Sequence, residues 1–143
     1  MTTATKNLPE IRDRQAAQDF YHENQIFTAS REELILILYD GALRFGRQGL
    51  AAGEEHNWAQ AGYYLVRAER IVHYLSLCLD LEAGGEIAKK LDSLYEFILR
   101  CLSEGHLLKK KERIEDSLAI LKILRAAWDE GVVKSGQVKN EQA

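Results

Sequence analysis

The chain has 143 residues, a length that suits one domain with one hydrophobic core. Its formal charge of −3, from 19 basic and 22 acidic residues, excludes the broad cationic surface that nucleic-acid binding needs. No segment reaches the run of roughly 18 uncharged apolar residues that a membrane span requires. Residues 1–10 also lack the apolar core of a signal peptide, so we expect neither membrane insertion nor secretion by that route.

Residues 1–29 are polar and aperiodic for most of their length, and we predict that they form a mobile N-terminal arm. Ser30 is predicted to begin a helix, because Glu33 three residues later completes a capping box. This first helix is predicted over 31–52, with Gly53 as its stop. Its run from residue 34 to residue 39 is apolar on every side, which is typical of a helix buried on most sides. We therefore expect this helix to be central, or covered on its outer face by the chain or by a partner.

The second predicted helix starts after Asn57, which forms another capping box with Gln60, and runs to residue 81. Its predicted inward seam has the 4-3-4-3-4 spacing of shallowly crossing bundle helices. The seam consists of Ala61, Leu65, Ala68, Val72, Leu75 and Leu79. Within this helix and the next lie Cys78 and Cys101, which are predicted to be small, reduced, buried side chains.

The third helix is predicted over 86–103 after the Gly84-Gly85 break, and the fourth over 112–130 with Gly131 as its stop. The third has a predicted seam of Ile87, Leu91, Leu94, Ile98 and Cys101. The fourth has Ile114, Leu118, Leu121, Leu124 and Trp128 inward. Short connections make sequential helices antiparallel. The sequence thus predicts an all-α, antiparallel four-helix bundle over 30–131, with a flexible N-terminal arm (1–29) and a polar tail (132–143).

A helical bundle with two metal ions in its core would carry Glu-x-x-His twice. No Glu stands three residues before any of the four histidines, so we expect no metal and no other cofactor. Neither a phosphate-binding glycine loop nor a nucleophile motif is present, and we predict that the protein is not an enzyme. Asp40, a carboxylate inside an apolar helix, is expected to face solvent or a neighbouring loop.

The predicted bundle has more apolar and aromatic side chains than one core requires. The surplus favours a groove for an amphipathic partner helix, although packing against the arm would also account for any single residue. The predicted partner contacts include aromatic side chains of the arm and of three helices. They are Tyr21, Ile26, Phe27, Leu36, Tyr39, Tyr74, Leu77, Tyr95, Leu99 and Leu102.

The stretch from Tyr21 to Phe45 resembles the opening signature of the flagellin export chaperones, the FliS family. The matching residues are Tyr21, Thr28-Ala29-Ser30, Glu33-Leu34 and Leu38-Tyr39-Asp40-Gly41-Ala42. Further similarity runs through Leu79-Asp80, Gly84-Gly85-Glu86-Ile87-Ala88, Leu94-Tyr95 and Ala127-Trp128. Arg31 replaces the family's usual proline, which is helpful but not required at the first helical position.

The resemblance implies a cytosolic, non-enzymatic chaperone that binds the disordered C-terminal segment of flagellin. Such a chaperone prevents premature polymerisation and delivers its client to the flagellar type III export gate without ATP. Free protein is expected to be a monomer or a weak homodimer. Two alternatives stay open: a helical homodimer whose extra apolar face is a structural self-interface, and an enzyme whose bundle core escapes sequence interpretation.

Overall fold

The computed structural model describes residues 30–132, of which 86% are helical, and these residues contain no strand. Four helices follow in order: α1 (Arg31–Glu54), α2 (Trp58–Leu77), α3 (Gly85–Leu107) and α4 (Lys111–Ala127). A π-helical turn, Trp128–Val132, closes the described chain. The predicted all-α, antiparallel four-helix bundle is confirmed. The predicted arm (1–29) and residues 133–143 of the predicted tail lie outside the described residues, so those boundaries stay predictions.

The chain divides into two compact units within α1, between Leu34 and Ile35. In the first unit the structure describes the helix start. The Glu33 N–H donates to Ser30 Oγ at 3.1 Å, and the Leu34 N–H donates to the Ser30 carbonyl at 2.8 Å. These bonds satisfy backbone donors that lack a partner at the first turn of a helix, and they confirm the predicted start.

The second unit begins at Ile35 and contains the hydrophobic core. The predicted seam of α2 is confirmed from Ala61 to Leu75, where every member is at most 1% exposed. Leu79, its last predicted member, is half-buried beyond the helix end. The Gln60 N–H donates to Asn57 Oδ1 at 3.2 Å, which confirms the predicted cap of α2.

The predicted seam of α3 is confirmed at Ile98 and Cys101, which are 0% and 1% exposed, but it is wrong at two other members. Ile87 is 73% exposed and Leu94 is 37% exposed, although both were predicted to point inward. The buried residues of α3 are Ala88, Tyr95, Ile98, Cys101, Leu102 and Gly105. With half-buried Leu91, all of these except Cys101 form a continuous 3-4-3-4-3 series from Ala88 to Gly105, which lies beyond the predicted end of the helix at residue 103.

Gly53 was predicted to stop the first helix and Gly105 to lie in the connection after the third, but both lie inside helices. A Cβ on Gly53 would approach Trp58 Cη2 to 2.9 Å, and one on Gly105 would approach Ile114 Cγ1 to 2.6 Å, so each glycine lets a neighbouring element come close. The helices end at non-glycine residues with left-handed backbones: His56 (φ 60°) after α1 and Lys109 (φ 53°) after α3. Both helices therefore run beyond their predicted ends, at residues 52 and 103.

The end of α1 is a Schellman motif. The Asn57 N–H donates to the Ala52 carbonyl at 2.9 Å, and the His56 N–H donates to the Gly53 carbonyl at 2.9 Å. The other two helices are shorter than predicted: α2 ends at Leu77 instead of residue 81, and α4 ends at Ala127, where the π-helical turn takes over. After α2, Asp80 Oδ1 accepts from the N–H groups of Glu82 and Ala83 and forms a turn.

Candidate partner-binding surface

The predicted contact residues separate into a buried group and an exposed group. Tyr39 and Leu102 are 0% exposed and Tyr95 is 2% exposed, so all three belong to the core. Their direct contact with a partner stays a prediction, and the closed bundle does not present them to one. Tyr74 is 49% exposed and Leu77 is 82% exposed, so both are accessible.

The remaining predicted contacts fall between these groups or outside them. Leu36 on α1 and Leu99 on α3 are half-buried. Tyr21, Ile26 and Phe27 lie outside the described residues.

The buried group is organised by a tyrosine pair that joins α1 to α3. The hydroxyls of Tyr39 and Tyr95 are 2.6 Å apart and hydrogen-bonded, with either able to donate. Their ring centroids are 6.4 Å apart, with the planes tilted by 49°. Burial raises the pKa of the Tyr39 hydroxyl far above its ordinary value, and burial also raises the pKa of Tyr95. Each hydroxyl is thus held neutral in the core and depends on the other for a partner.

The exposed group surrounds the connection between α2 and α3. Large apolar side chains there are accessible to solvent on both sides of the connection: Tyr74 (49%), Leu77 (82%), Leu81 (48%), Ile87 (73%) and Leu94 (37%). We call these five residues the apolar end. The Ser76 hydroxyl donates to Asp92 Oδ1 at 3.0 Å, which ties the two helices together beside it. All five belong to the α2–α3 hairpin, and exposed apolar patches are typical of protein-binding surfaces.

Sequence reasoning missed three members of the apolar end. Leu81 was placed inside α2, and Ile87 and Leu94 were placed in the core of α3. One signal was available in the sequence: Gly105 extends the alternative seam through Ala88 and Leu102 by the same 3-4 spacing. Interpreting Gly105 as a loop residue removed that support.

Asp40 is exposed to solvent, as predicted, and it also pairs with an arginine of α4, which the sequence did not indicate. Asp40 Oδ1 accepts from Arg125 Nε at 2.9 Å, and Oδ2 accepts from Nη2 at 3.4 Å. This two-point geometry is the strong form of an arginine–carboxylate pair. Its side chains are 56% and 34% exposed, so solvent screens the pair and it positions α1 against α4 more than it stabilises them.

A second polar contact, at His106, joins α2 and α3. The His106 imidazole packs directly on Gly62, where a Cβ would collide with it. Burial raises the pKa of nearby Glu69, and the charges of His106 and His73 oppose that rise. Within residues 30–132, no three or more His, Cys, Asp or Glu side chains are grouped as metal ligands would be. None of the helices described is long and apolar enough to cross a membrane.

The chain is similar to proteins of one family. The profile described as "Flagellar protein FliS" matches residues 13–135. A flagellar secretion chaperone of Vibrio cholerae is 32% identical over 108 residues, which cover 76% of this chain and 79% of that protein. A flagellar secretion chaperone of Campylobacter jejuni is 34% identical over 114 residues, 80% of this chain and 89% of the relative. A third, from Pseudomonas aeruginosa, is 31% identical over 107 residues, which cover 75% of this chain and 85% of that protein.

Proposed function

We propose a chaperone function on one premise: the chain belongs to the FliS family of flagellar proteins. In this proposal it binds the C-terminal segment of flagellin in the cytosol, prevents premature polymerisation and delivers flagellin to the flagellar export gate. The observation that carries the proposal is the apolar end, where Leu77 and Ile87 are 82% and 73% exposed on a helical framework. A disordered client that folds on binding gains a large apolar contact area there.

The rigid framework and the exposed side chains have different roles in this proposal. The tyrosine pair and the α2 seam hold the helices in place, so little of the chaperone itself has to be ordered when a client binds. An amphipathic client helix then covers Tyr74, Leu77 and neighbouring apolar groups, with half-buried Leu36 and Leu99 as further proposed contacts.

Residues 1–29 enter the proposal as a movable part of the client site. The sequence carries four large apolar groups just before the α1 start, Phe20, Tyr21, Ile26 and Phe27. If this segment covers the site as a lid, Tyr21→Ala leaves flagellin binding equal or tighter. If Tyr21 contacts the client, which we favour, the same change weakens binding by about 1–3 kcal/mol. Calorimetric titration with a flagellin C-terminal peptide gives the sign. Unchanged affinity with a markedly lower melting temperature would instead place Tyr21 in the core.

Co-elution on size exclusion tests the function itself. Purified chain is mixed with full-length flagellin and, separately, with flagellin that lacks its C-terminal segment. The proposal expects a one-to-one complex with the first and none with the second. A free protein that is a stable dimer, with melting that depends on concentration and no complex with either flagellin, would replace the chaperone by a self-associating protein.

A further inference from the structure

A continuous row of stacked arginine and aromatic side chains crosses from α1 to α2, away from the apolar end. The Arg44 guanidinium carbon lies 5.1 Å from the centroid of the Phe45 ring. Phe45 on α1 stacks on Tyr64 of α2 with centroids 6.5 Å apart and planes 27° apart. The Tyr64 and Tyr63 rings pack edge to face, with centroids 5.3 Å apart and planes 82° apart. The Arg67 guanidinium carbon lies 3.4 Å from the centroid of the Tyr63 ring. We call these five residues the arginine–aromatic row.

The two arginines at the ends of the row differ from two arginines of α4 in their ion pairing. Arg113 and Arg125 form ion pairs with carboxylates. Within residues 30–132, neither Arg44 nor Arg67 has an ion pair with any carboxylate. Arg67 Nη1 donates to the Tyr63 carbonyl at 2.9 Å, which uses one of the five N–H donors of a guanidinium. The other donors are held in a fixed plane by the ring beneath them.

Such a stacked guanidinium is prepared to bind a carboxylate. Stacking orders a long side chain before any partner arrives, so less conformational entropy is lost on binding. Arginine and tyrosine are also the residues enriched where protein interfaces concentrate their binding energy. Tyr63 is 51% exposed, and Phe45 and Tyr64 are half-buried, which leaves an apolar strip between two cations.

The shape of the row disfavours nucleic acid as its ligand. Binding of single strands needs open aromatic faces on which bases stack. Here Arg67 covers a face of Tyr63, Arg44 covers Phe45, and Phe45 and Tyr64 stack on each other. The formal charge of the chain is −3, so the row is a small basic site on an acidic protein.

We propose that the arginine–aromatic row binds an acidic stretch of the client polypeptide, with carboxylates on Arg44 and Arg67 and an apolar side chain against the rings between them. This inference rests on the proposed function and adds a second, charge-dependent contact to the one at the apolar end. The client is thus held at two places, and the carboxylate contact makes its affinity depend on salt.

The test titrates the full chain with the flagellin C-terminal segment and with a twin in which every Asp and Glu is replaced by Asn and Gln. Four forms of the chain are compared: wild type, Arg44→Gln/Arg67→Gln, Arg44→Lys/Arg67→Lys and Arg100→Gln. Arg100 is the matched control because it is exposed on α3 and lies in none of the ion pairs within residues 30–132. Urea unfolding of each variant establishes that it is folded, and Arg44→Lys/Arg67→Lys keeps the charge while removing the planar stacking.

Wild type and Arg100→Gln are expected to bind the acidic segment about tenfold more tightly than its neutral twin, with a preference that shrinks as salt rises. The Arg44→Gln/Arg67→Gln variant is expected to bind both segments alike, and the lysine variant to keep part of the preference. Unchanged or tighter binding of the acidic segment by the glutamine variant would overturn the inference. Tighter binding is the result expected if residues 1–29 of the chain itself occupied the row and competed with the client. Binding of a single-stranded oligouridine that depends on Arg44 and Arg67 would overturn it in favour of nucleic acid.

Failure of wild type to bind any flagellin segment would defeat the proposed function separately. The row is then tested with a synthetic helix of alternating Leu and Glu clusters and with its Leu/Gln twin. Preference for the Glu peptide that disappears in Arg44→Gln/Arg67→Gln supports the inference. Equal or absent binding of the two peptides overturns it.

Discussion

The core around Tyr39 and Tyr95 and the apolar end around Leu77 and Ile87 are built from the same kinds of side chain but serve opposite purposes. The two tyrosines are 0% and 2% exposed and hydrogen-bonded to each other. Leu77 and Ile87 are 82% and 73% exposed. Residue type alone does not separate the two groups. Their position in the helical period, and what packs on each side, decides which residues stabilise the bundle and which are available to a partner.

The largest expected effect comes from truncating a core leucine. Leu102→Ala should lower the free energy of unfolding by about 2–5 kcal/mol, because it removes a fully buried side chain and leaves a cavity. Leu77→Ala, the matched change at the apolar end, should alter it by less than about 0.5 kcal/mol. Urea unfolding measures both. Similar losses for the two variants would mean that Leu77 is covered by part of the folded chain.

The tyrosine pair should show a smaller loss and a coupling. Tyr39→Phe leaves the Tyr95 hydroxyl buried without its partner, which should cost about 1–3 kcal/mol. Tyr39→Phe/Tyr95→Phe removes both hydroxyls and should cost less than the sum of the two single changes. Additive losses in a double-mutant cycle by urea unfolding would show that the hydroxyls act independently.

The same pair predicts instability in alkali. In the folded chain the pKa of both tyrosines is raised above the ordinary value of 10.0, chiefly by burial, so the folded state holds these protons more tightly than the unfolded state. The stabilisation linked to these raised pKa values is fully present below pH 10.0. It declines above that pH, by up to about 1.4 kcal/mol per pH unit for each tyrosine. The free energy of unfolding, measured as pH rises above 10.0, should fall more steeply for wild type than for Tyr39→Phe/Tyr95→Phe. Parallel curves would contradict the assignment.

Two glycines of α1 should respond in opposite directions to the same substitution. A Cβ on Gly49 would lie 2.5 Å from Leu65 Cδ2 and 2.7 Å from Leu65 Cγ, so Gly49→Ala must displace a fully buried side chain and should cost about 1–3 kcal/mol. A Cβ on Gly41 would lie 3.1 Å from Ile71 Cδ1, the end of a flexible chain. Gly41→Ala should therefore be neutral or stabilising by up to about 1 kcal/mol through helix propensity. Thermal melts of both variants settle the signs, and equal losses would refute the packing difference.

The smallest expected effect is at the ion pair between α1 and α4. Asp40→Asn should lower stability by less than about 1 kcal/mol, because both side chains are substantially exposed. The loss should shrink as salt screens the pair in the wild type. A loss as large as that of Tyr39→Phe at any salt concentration would show that the pair is a major stabilising contact.

The sequence predicted the fold, the starts of α1 and α2 and the α2 seam because these depend on local signals. Ser30 and Asn57 accept from backbone N–H groups three residues onward, and the α2 seam has only one consistent period. Features that depend on tertiary packing were harder to predict from the sequence. Gly53 was predicted to be a helix end and Gly105 a loop residue, because their close approach to Trp58 and Ile114 depends on tertiary contacts.

The candidate site was predicted less well than the fold. In α3, the seam through Ile87 and Leu94 and the seam through Ala88 and Tyr95 both satisfy the helical period. The one sequence signal that separates them, Gly105, favours the second seam only if the helix continues past its predicted end at residue 103. Asp40 could not be paired with Arg125 from the sequence either, because 85 residues separate them and no local spacing links them.

The central claim is that a client binds at the apolar end and not through the core, and calorimetric titration with the flagellin C-terminal segment tests it most directly. Leu77→Asp/Ile87→Asp is compared with wild type and with Leu107→Asp, which changes a leucine 71% exposed at the end of α3, away from the α2–α3 connection. The account predicts that the double variant loses at least about tenfold in affinity at an unchanged urea midpoint, while Leu107→Asp binds as wild type does. Wild-type affinity in the double variant, or an equal loss in Leu107→Asp, would contradict it.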